Sequence, residues 1–171
     1  MRESIGATWI LGIVIMFITV FSGYLAFSIN YSKAFSVKDG IVERIEKNNG
    51  FNNDTIKDIN EFLNTIGYNS KGKCTRLAQD GNLDNTVGLL YGETSATQAQ
   101  SDVSYNYCVR KIYNAQTTIS DGPAGTMTSA YYRVVVFFSL SIPIINELTN
   151  FSVDGETRYI NYPVDAECFR N

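Results

Sequence analysis

Three cysteines are the residues of this chain best suited to covalent chemistry. Cys74, Cys108 and Cys168 all follow a long apolar N-terminal segment, and the chain contains no histidine. Histidine is the commonest general base and metal ligand, so its absence argues against nucleophile–histidine catalysis and against mixed cysteine–histidine metal sites. The cysteines instead indicate an oxidising exterior, with one disulfide bridge and one cysteine left over.

The positions of the cysteines on predicted strands favour a bridge between Cys74 and Cys108. In KCTRL, Cys74 shares a strand face with Arg76, and in YCVRK, Cys108 shares one with Arg110. Both cysteines are therefore expected on the outer face of a sheet, where they face each other if the two strands are neighbours. A bridge that uses Cys168, which lies in the C-terminal tail, and the absence of any bridge are the alternatives.

A second candidate is a calcium site in the segment QDGNLDNTV. Asp80, Asn82 and Asp84 occupy the first, third and fifth positions of a calcium-binding loop. The sixth position is Asn85 instead of glycine and the twelfth is Tyr91 instead of glutamate, which breaks the EF-hand pattern. The segment is therefore only a weak calcium candidate, and a solvated turn is the alternative.

Composition and motifs argue against several other functions. The chain has no Gly-x-Ser-x-Gly elbow and no phosphate-binding loop, so we predict that it is not an enzyme and needs no cofactor. It has 14 Lys and Arg residues against 17 Asp and Glu residues, with a net charge of −3 and no basic run. A mildly acidic domain of this kind is expected to bind nucleic acid or phospholipid headgroups poorly through charge.

The N-terminal segment gives the strongest signal in the sequence. No charged residue lies between Glu3 and Lys33, and the apolar stretch runs from Ile5 to Ile29. At about 1.5 Å per residue this stretch forms roughly 37 Å of helix, enough to span a bilayer with some tilt. A secretory signal has an apolar region of only about 7–15 residues. We therefore predict a retained transmembrane helix within residues 1–32, in contact with membrane lipid, over a cleaved signal or a buried soluble helix.

Residues 33–171 are predicted to form one extracytoplasmic domain. All three cysteines lie there, and Asn, Thr and Tyr are abundant, as is common outside the cytoplasm. The Lys and Arg residues that flank the span differ little in number between its two sides, so the orientation is inferred from the composition of this domain. The sequence thus predicts a single-pass membrane protein with its C-terminal domain outside.

Periodicity predicts an α+β fold in which a long N-terminal helix packs on an antiparallel sheet. Apolar residues continue the membrane helix as a stem over 33–48, at the positions Ala34, Val37, Ile41 and Ile45. A short amphipathic helix follows over 54–66. The period then changes to two, which predicts strands at about 72–78, 104–115, 128–142 and 152–162. Residues 79–102 are polar and are predicted to form a long surface loop.

Local sequence also predicts a bend or close contact in the stem, the cap of the second helix and the strand face on which two tyrosines lie. Gly40 lies within the stem and is expected to allow a bend or a close approach. Asn53 or Asp54 is expected to cap the second helix. In the segment SYNYCVRKIYNA, strict alternation would place Tyr105 and Tyr107 on the same face of a strand.

The segment YYRVVVFFSLSIPIINELTNFSVDGETRYI resembles part of a known family. It contains an apolar alternation over 134–140, an apolar turn with Pro143, Ile144 and Ile145, and a closing strand over 153–158. Together with the apolar helix and stem of the first 47 residues, this order resembles the TadE-like minor pilins of Tad-type (type IVb-like) pili. The resemblance covers residues 1–47 and roughly 130–162.

The resemblance implies a pilin-like subunit that is stored in the inner membrane and assembles with other pilin-like subunits. Such a subunit forms or supports an extracellular filament used in surface attachment. In pilins, a glutamate near the helix start is thought to pair with the N-terminal amine of a neighbour. The resemblance therefore implies subunit registration for Glu3, and a favourable interaction with the helix dipole is the alternative.

Glycines in the span are candidate contacts between helices. Gly6, Gly12 and Gly23 would permit close approach, although their spacings differ from the four-residue contact motif.

Pilins carry a glycine before their cleavage point and a glutamate shortly after it, whereas here Glu3 precedes Gly6. We therefore expect either that a leader precedes this sequence or that the chain is not cut. The alternative function is a single-pass, membrane-anchored binding domain that does not polymerise.

Overall fold

Two helices precede all the strands in a computed structural model that describes residues 2–78, 82–114, 127–142 and 145–163. The helices are α1 (Arg2–Lys47) and α2 (Asn53–Thr65). The strands of these described residues are β1 (Gly72–Lys73), β2 (Thr86–Leu89), β3 (Thr97–Gln98), β4 (Ser104–Tyr105), β5 (Tyr107–Asn114), β6 (Met127–Ile142), β7 (Ile145–Glu156) and β8 (Ile160–Pro163). The predicted α+β class, with a long first helix, a short second helix and antiparallel strands, is confirmed.

The main sheet is built around the long strand β6. Strand β5 pairs with one edge of β6, and β7 and β8 pair with successive parts of the other edge. Strands β2 and β3 extend the sheet beyond β5, which gives the order β3-β2-β5-β6-β7 with β8 also paired to β6. Strands β1 and β4 form a separate two-stranded ribbon. Every pair is antiparallel.

The stem half of α1 packs its predicted apolar stripe on one face of this sheet. Val37, Ile41 and Ile45 are at most 1% exposed and share one core with Val134 and Val136 of β6. Three residues of α2 enter the same core, namely Ile56, Ile59 and Leu63. The expected close approach at Gly40 is confirmed, because a Cβ atom added there would overlap the Phe62 ring.

The connection between the two helices differs from the prediction by one residue. Gly50 follows the end of α1 with φ 142° and donates its N–H to the Ile45 carbonyl at 2.9 Å. The cap of α2 is Asn52, whose side chain accepts the Thr55 N–H at 2.8 Å. The predicted cap at Asn53 or Asp54 was therefore wrong. Three good capping residues stand in a row, and only the extended backbone of Asn52 selects it.

The predicted strand over 72–78 is mostly a 3₁₀ turn. Only Gly72 and Lys73 are extended, and the turn occupies Cys74–Leu77. Cys74 and Leu77 are both buried, and their spacing of three matches the three residues per turn of a 3₁₀ helix. In so short a segment, the sequence alone does not show whether apolar residues follow the three-residue period of a 3₁₀ helix or the two-residue period of a strand.

The predicted loop over 79–102 contains β2 and β3, so that prediction was wrong. Strand β2 has only four residues and includes Gly88, over which the Tyr105 ring lies so closely that an added Cβ would overlap it. Strand β3 has two residues, both polar and exposed. Neither strand shows an apolar alternation long enough to be recognised in the sequence.

Two further predicted strands are divided in the structure. Asn106 separates β4 from β5, is fully buried, and bonds through its side chain to the Tyr91 N–H and the Ser70 carbonyl. Because of this break, Tyr105 and Tyr107 lie in different clusters, contrary to the alternation. The predicted strand 152–162 is the end of β7 followed by β8, and β7 already begins at Ile145.

Tyr68 takes the place of a strand partner for part of β6. Strand β5 reaches β6 only as far as Tyr107, which lies opposite Val136. At the next residue, Phe137, the Tyr68 hydroxyl donates to the carbonyl and accepts the N–H at 2.9 Å. The Tyr68 side chain is buried, and this burial raises its pKa to about 12 even though the hydrogen bond to Phe137 lowers it.

We expect Tyr68→Phe to lower the free energy of unfolding by about 1–3 kcal/mol at neutral pH, because it leaves buried backbone groups of Phe137 unpaired. Since the folded pKa lies above 10, Tyr68 contributes fully below pH 10. Its contribution falls by about 1.4 kcal/mol per pH unit as the pH rises towards 12. Denaturant titrations of the full chain in detergent at pH 7 and at about pH 11 measure both effects.

The matched control for this variant is Tyr91→Phe, because Tyr91 is 48% exposed. The control should keep the wild-type stability at both pH values. An equal loss in both variants would show that Tyr68 does not act through its bonds to β6.

Candidate functional site

The N-terminal half of α1 forms an exposed apolar surface. Its most apolar window of 18 residues has a mean hydropathy of 2.4, and none of these residues is buried. Trp9 is 72% exposed, and most of the large apolar side chains as far as Ile29 are also exposed. By length and composition this part of α1 is suited to cross a membrane.

Two polar side chains in this half bond to backbone carbonyls of the same helix. The Thr19 hydroxyl donates to the Ile15 carbonyl at 2.8 Å, and the Asn30 amide donates to the Ala26 carbonyl at 2.9 Å. Such bonds leave few polar groups that still need a partner, which is what a hydrocarbon environment requires. The polar residues of the stretch are therefore compatible with lipid.

The face of α1 that packs on the sheet continues into the exposed half as a strip of small or polar residues. At about 100° per residue, Gly12 and Gly23 differ by about 20° around the helix axis and lie in line with Val37 and Ile41. We call this set the small-residue strip, and it consists of Thr8, Gly12, Thr19, Gly23, Ala26 and Asn30. Met16, about 40° around the axis from Gly12, lies at the edge of this strip. The same helix face is therefore buried against the sheet in the stem and exposed to the surroundings in the N-terminal half.

The structure brings together only part of the predicted helix-contact set. A Cβ added at Gly12 or Gly23 would meet no atom within 4 Å, so contacts within this chain do not require glycine there. Gly6 lies about 120° around the axis from Gly12, on a different face. Glu3 belongs to the first turn of α1, and its side chain lies outside the described part.

Comparisons with known proteins do not identify the chain. No protein-family model, curated protein or solved structure matches it. The resemblance to TadE-like pilins therefore rests on the sequence pattern alone, and function is inferred from the geometry of α1 and the sheet.

A cluster of aromatic rings marks the point where α1 leaves the sheet. The Phe27 ring lies 5.8 Å from Phe138 of β6 and 5.5 Å from Phe151 of β7, measured between centroids. Tyr31 lies 6.0 Å from Phe138, and the Phe138 and Phe151 rings stack at 5.2 Å. We call these four residues the junction cluster. The sequence pattern did not predict this cluster, and only the spacing of Phe27 and Tyr31 by one turn pointed to it.

The predicted disulfide between Cys74 and Cys108 is present in the structure. The sulfur atoms are 2.02 Å apart and the Cα atoms 5.7 Å apart, within the normal range for a disulfide. Both residues are fully buried in a second cluster on the sheet face opposite α1, with Val135 and Phe137 among its members. The bridge thus fastens the 3₁₀ turn to β5, whereas the predicted strand around Cys74 was wrong. Cys168 lies outside the described residues.

The calcium candidate is only partly within the described residues. Asn82 and Asp84 bind each other, because the Asn82 amide donates to the Asp84 carboxylate and the Asn82 carbonyl oxygen accepts the Asp84 N–H. Asp80 lies outside the described part, so the site as predicted remains a prediction. Among the residues that the structure describes, no group of three or more Cys, Asp or Glu side chains is arranged to hold a metal.

A cleft of about 470 Å³ lies beside the turn after α1, with Phe51, Thr86, Lys111 and Tyr113 among its lining residues. Lys111 is 7% exposed, and its ammonium lies 4.9 Å from the Tyr113 ring centroid and 6.0 Å from that of Tyr132. Ring faces stabilise a cation at such distances. The cleft has room for a small ligand, while the prediction that the protein is not an enzyme remains a prediction.

Proposed function

We propose that this protein is a membrane-anchored, pilin-like subunit of an extracellular filament. In this proposal, the exposed half of α1 lies in the bilayer before assembly and packs against the helices of other subunits afterwards. The carrying observation is the continuity of α1, in which the sheet-packing face extends without a break into the small-residue strip.

The small-residue strip supports contact between helices over simple anchoring. A plain anchor needs only apolar side chains, which Leu, Ile and Phe supply best. Glycine, alanine and threonine instead let two helix backbones approach closely, and packing then becomes the main source of association in lipid. The strip occupies one face, whereas the large exposed residues Phe17 and Phe21 lie about 140° and 180° around the axis from Gly12.

The buried disulfide supports an extracytoplasmic position for the domain. Bridges of this kind persist in oxidising compartments and are rare in the cytosol. With the domain outside, the residues before the span would lie in the cytoplasm. A membrane-impermeant protease added to spheroplasts, which lack the outer barrier, would then degrade the domain. Complete protection until the inner membrane is permeabilised would reverse this orientation.

A second candidate function is a monomeric, membrane-anchored binding domain. The observation in its favour is the cleft of about 470 Å³, which is lined by residues of β2, β5 and the turn after α1. Ligand pockets of small molecules have volumes of about this order. In this alternative, α1 serves only as an anchor and the small-residue strip contacts lipid.

We expect Gly12→Leu and Gly23→Leu to reduce recovery of the subunit in sheared surface filaments, because bulk in the strip prevents close helix contact. A Cβ atom added at either glycine would meet no atom within 4 Å, so the fold should be retained. Membrane insertion should also be retained, since leucine favours the bilayer. Filament yield and resistance of the membrane-bound pool to alkaline extraction are measured in the same cells.

Ser28→Leu provides the matched control for these variants. Ser28 is exposed and lies about 160° around α1 from Gly12, away from the strip. It should give wild-type filament yield. Wild-type yield from both glycine variants as well would favour the monomeric binding domain, and equal loss in all three would point to a general defect of the span.

A further inference from the structure

The junction cluster is built by the helix and the sheet together and is only partly covered. Phe138 is buried, whereas Tyr31 is 45% exposed and Phe151 is 38% exposed. The neighbouring Phe35 ring is 44% exposed and lies 6.5 Å from Tyr31. An apolar aromatic surface therefore continues from α1 onto β7, so the sheet itself contributes to it.

The position of this cluster along α1 places it at the height of a membrane surface. A bilayer core about 30 Å thick takes up about 20 helical residues, so a span that starts just after Glu3 ends near Tyr24. Phe27 and Tyr31 then lie about 5–10 Å farther out, within the headgroup layer. The first charged residue after the span, Lys33, follows immediately. Tyrosine is enriched at this depth because its apolar ring carries a hydroxyl that can reach water, which suits Tyr31. The phenylalanine rings of the cluster contribute apolar area on the acyl-chain side of the same boundary.

We propose that the junction cluster is a membrane-contact surface that seats the domain directly on the bilayer, with Phe151 of β7 in contact with lipid. The proposal rests on the membrane anchoring in the proposed function and goes beyond it, because a plain anchor would let the domain stand clear of the lipid. The partner is the boundary between lipid headgroups and acyl chains. The aromatic surface is continuous with the apolar helix, and lipid meets both in the unassembled subunit.

Tryptophan fluorescence of the full chain in phosphatidylcholine vesicles tests this contact. The chain has a single tryptophan, Trp9, so Trp9→Phe combined with Phe151→Trp gives a single reporter at the cluster. Lipids brominated in the upper part of the acyl chains should quench this reporter, and its emission maximum should be shifted to the blue. Tyr31→Trp in the same background gives a second reporter, in case the Phe151 variant does not fold.

The matched control reporter combines Trp9→Phe with Tyr159→Trp. Tyr159 is 59% exposed and packs on Tyr131, seven residues along β6 from Phe138, which corresponds to about 23 Å. Its emission should remain at the wavelength of exposed tryptophan and should be quenched by aqueous iodide but not by brominated lipid.

The outcomes separate this inference from the proposed function. If brominated lipid quenches wild-type Trp9 but not the cluster reporters, the domain stands off the bilayer and the inference is wrong, while anchoring stands. If Trp9 itself is not quenched, anchoring fails and the inference fails with it. If protection of the cluster reporters rises with the protein-to-lipid ratio, a second copy covers the cluster, and the lipid assignment is overturned.

Discussion

Replacing Cys74 and Cys108 together by serine should lower the free energy of unfolding by about 3–4 kcal/mol, as expected for opening a loop of this length. The two residues are 34 positions apart, and both are fully buried. The bridge is the covalent link between the 3₁₀ turn and β5, and it limits the conformations of the unfolded chain. Buried serine hydroxyls would add a further cost. Denaturant unfolding of the full chain in mild detergent, under non-reducing conditions, measures the change.

Two controls accompany this prediction. Cys168→Ser should have the stability of the wild type, and reduced wild-type protein should match the double variant apart from the cost of the serines. The single variant Cys74→Ser should expose one additional reactive thiol, which peptide mapping assigns to Cys108. Assignment of the new thiol to Cys168 would show that Cys74 pairs with Cys168 instead.

Ile41→Ala should destabilise the domain by about 2–5 kcal/mol, because it leaves a cavity where α1 meets the sheet. Ile41 is fully buried and belongs to the same core as Val134 and Val136 of the central strand. The surrounding stem helix and sheet are regular elements that collapse poorly into a void. The change is measured as a lower midpoint with an unchanged slope in denaturant unfolding.

The same substitution at an exposed position of the same helix is the control. Ile29 is 68% exposed, so Ile29→Ala should leave the unfolding midpoint of the domain unchanged in detergent. A midpoint shift of equal size in both variants would mean that helix propensity or detergent contact, and not core packing, sets the stability.

The long, periodic elements could be predicted from sequence. The stem was predicted because its apolar residues recur at helical spacing over three turns without proline, and the structure buries them. Strand β6 was predicted because its alternation extends over many residues. The short strands β2 and β3 were missed because two to four residues carry no measurable period, and their place in the sheet depends on pairing with β5.

The candidate site was predictable only where it lies within one segment. The apolar half of α1 is evident from composition, since no charge interrupts it. The junction cluster was not predicted, because Phe138 and Phe151 come from strands more than 100 residues after Phe27 and meet it only after folding. The cysteine pair was predicted correctly because both residues were expected on the same face of the sheet. The backbone at Cys74 was predicted incorrectly, since this residue lies in a 3₁₀ turn and not in a strand.

The unbroken course of α1 from Arg2 to Lys47 has a mechanical consequence. A flexible tether would absorb axial force and torque, whereas this helix is continuous and its outer half is clamped to the sheet by Ile41 and Ile45. The domain and the apolar half of α1 are therefore joined by a continuous helix and not by a flexible linker. A pull on the domain acts directly on the apolar half, and a rotation of the domain turns the small-residue strip through the same angle.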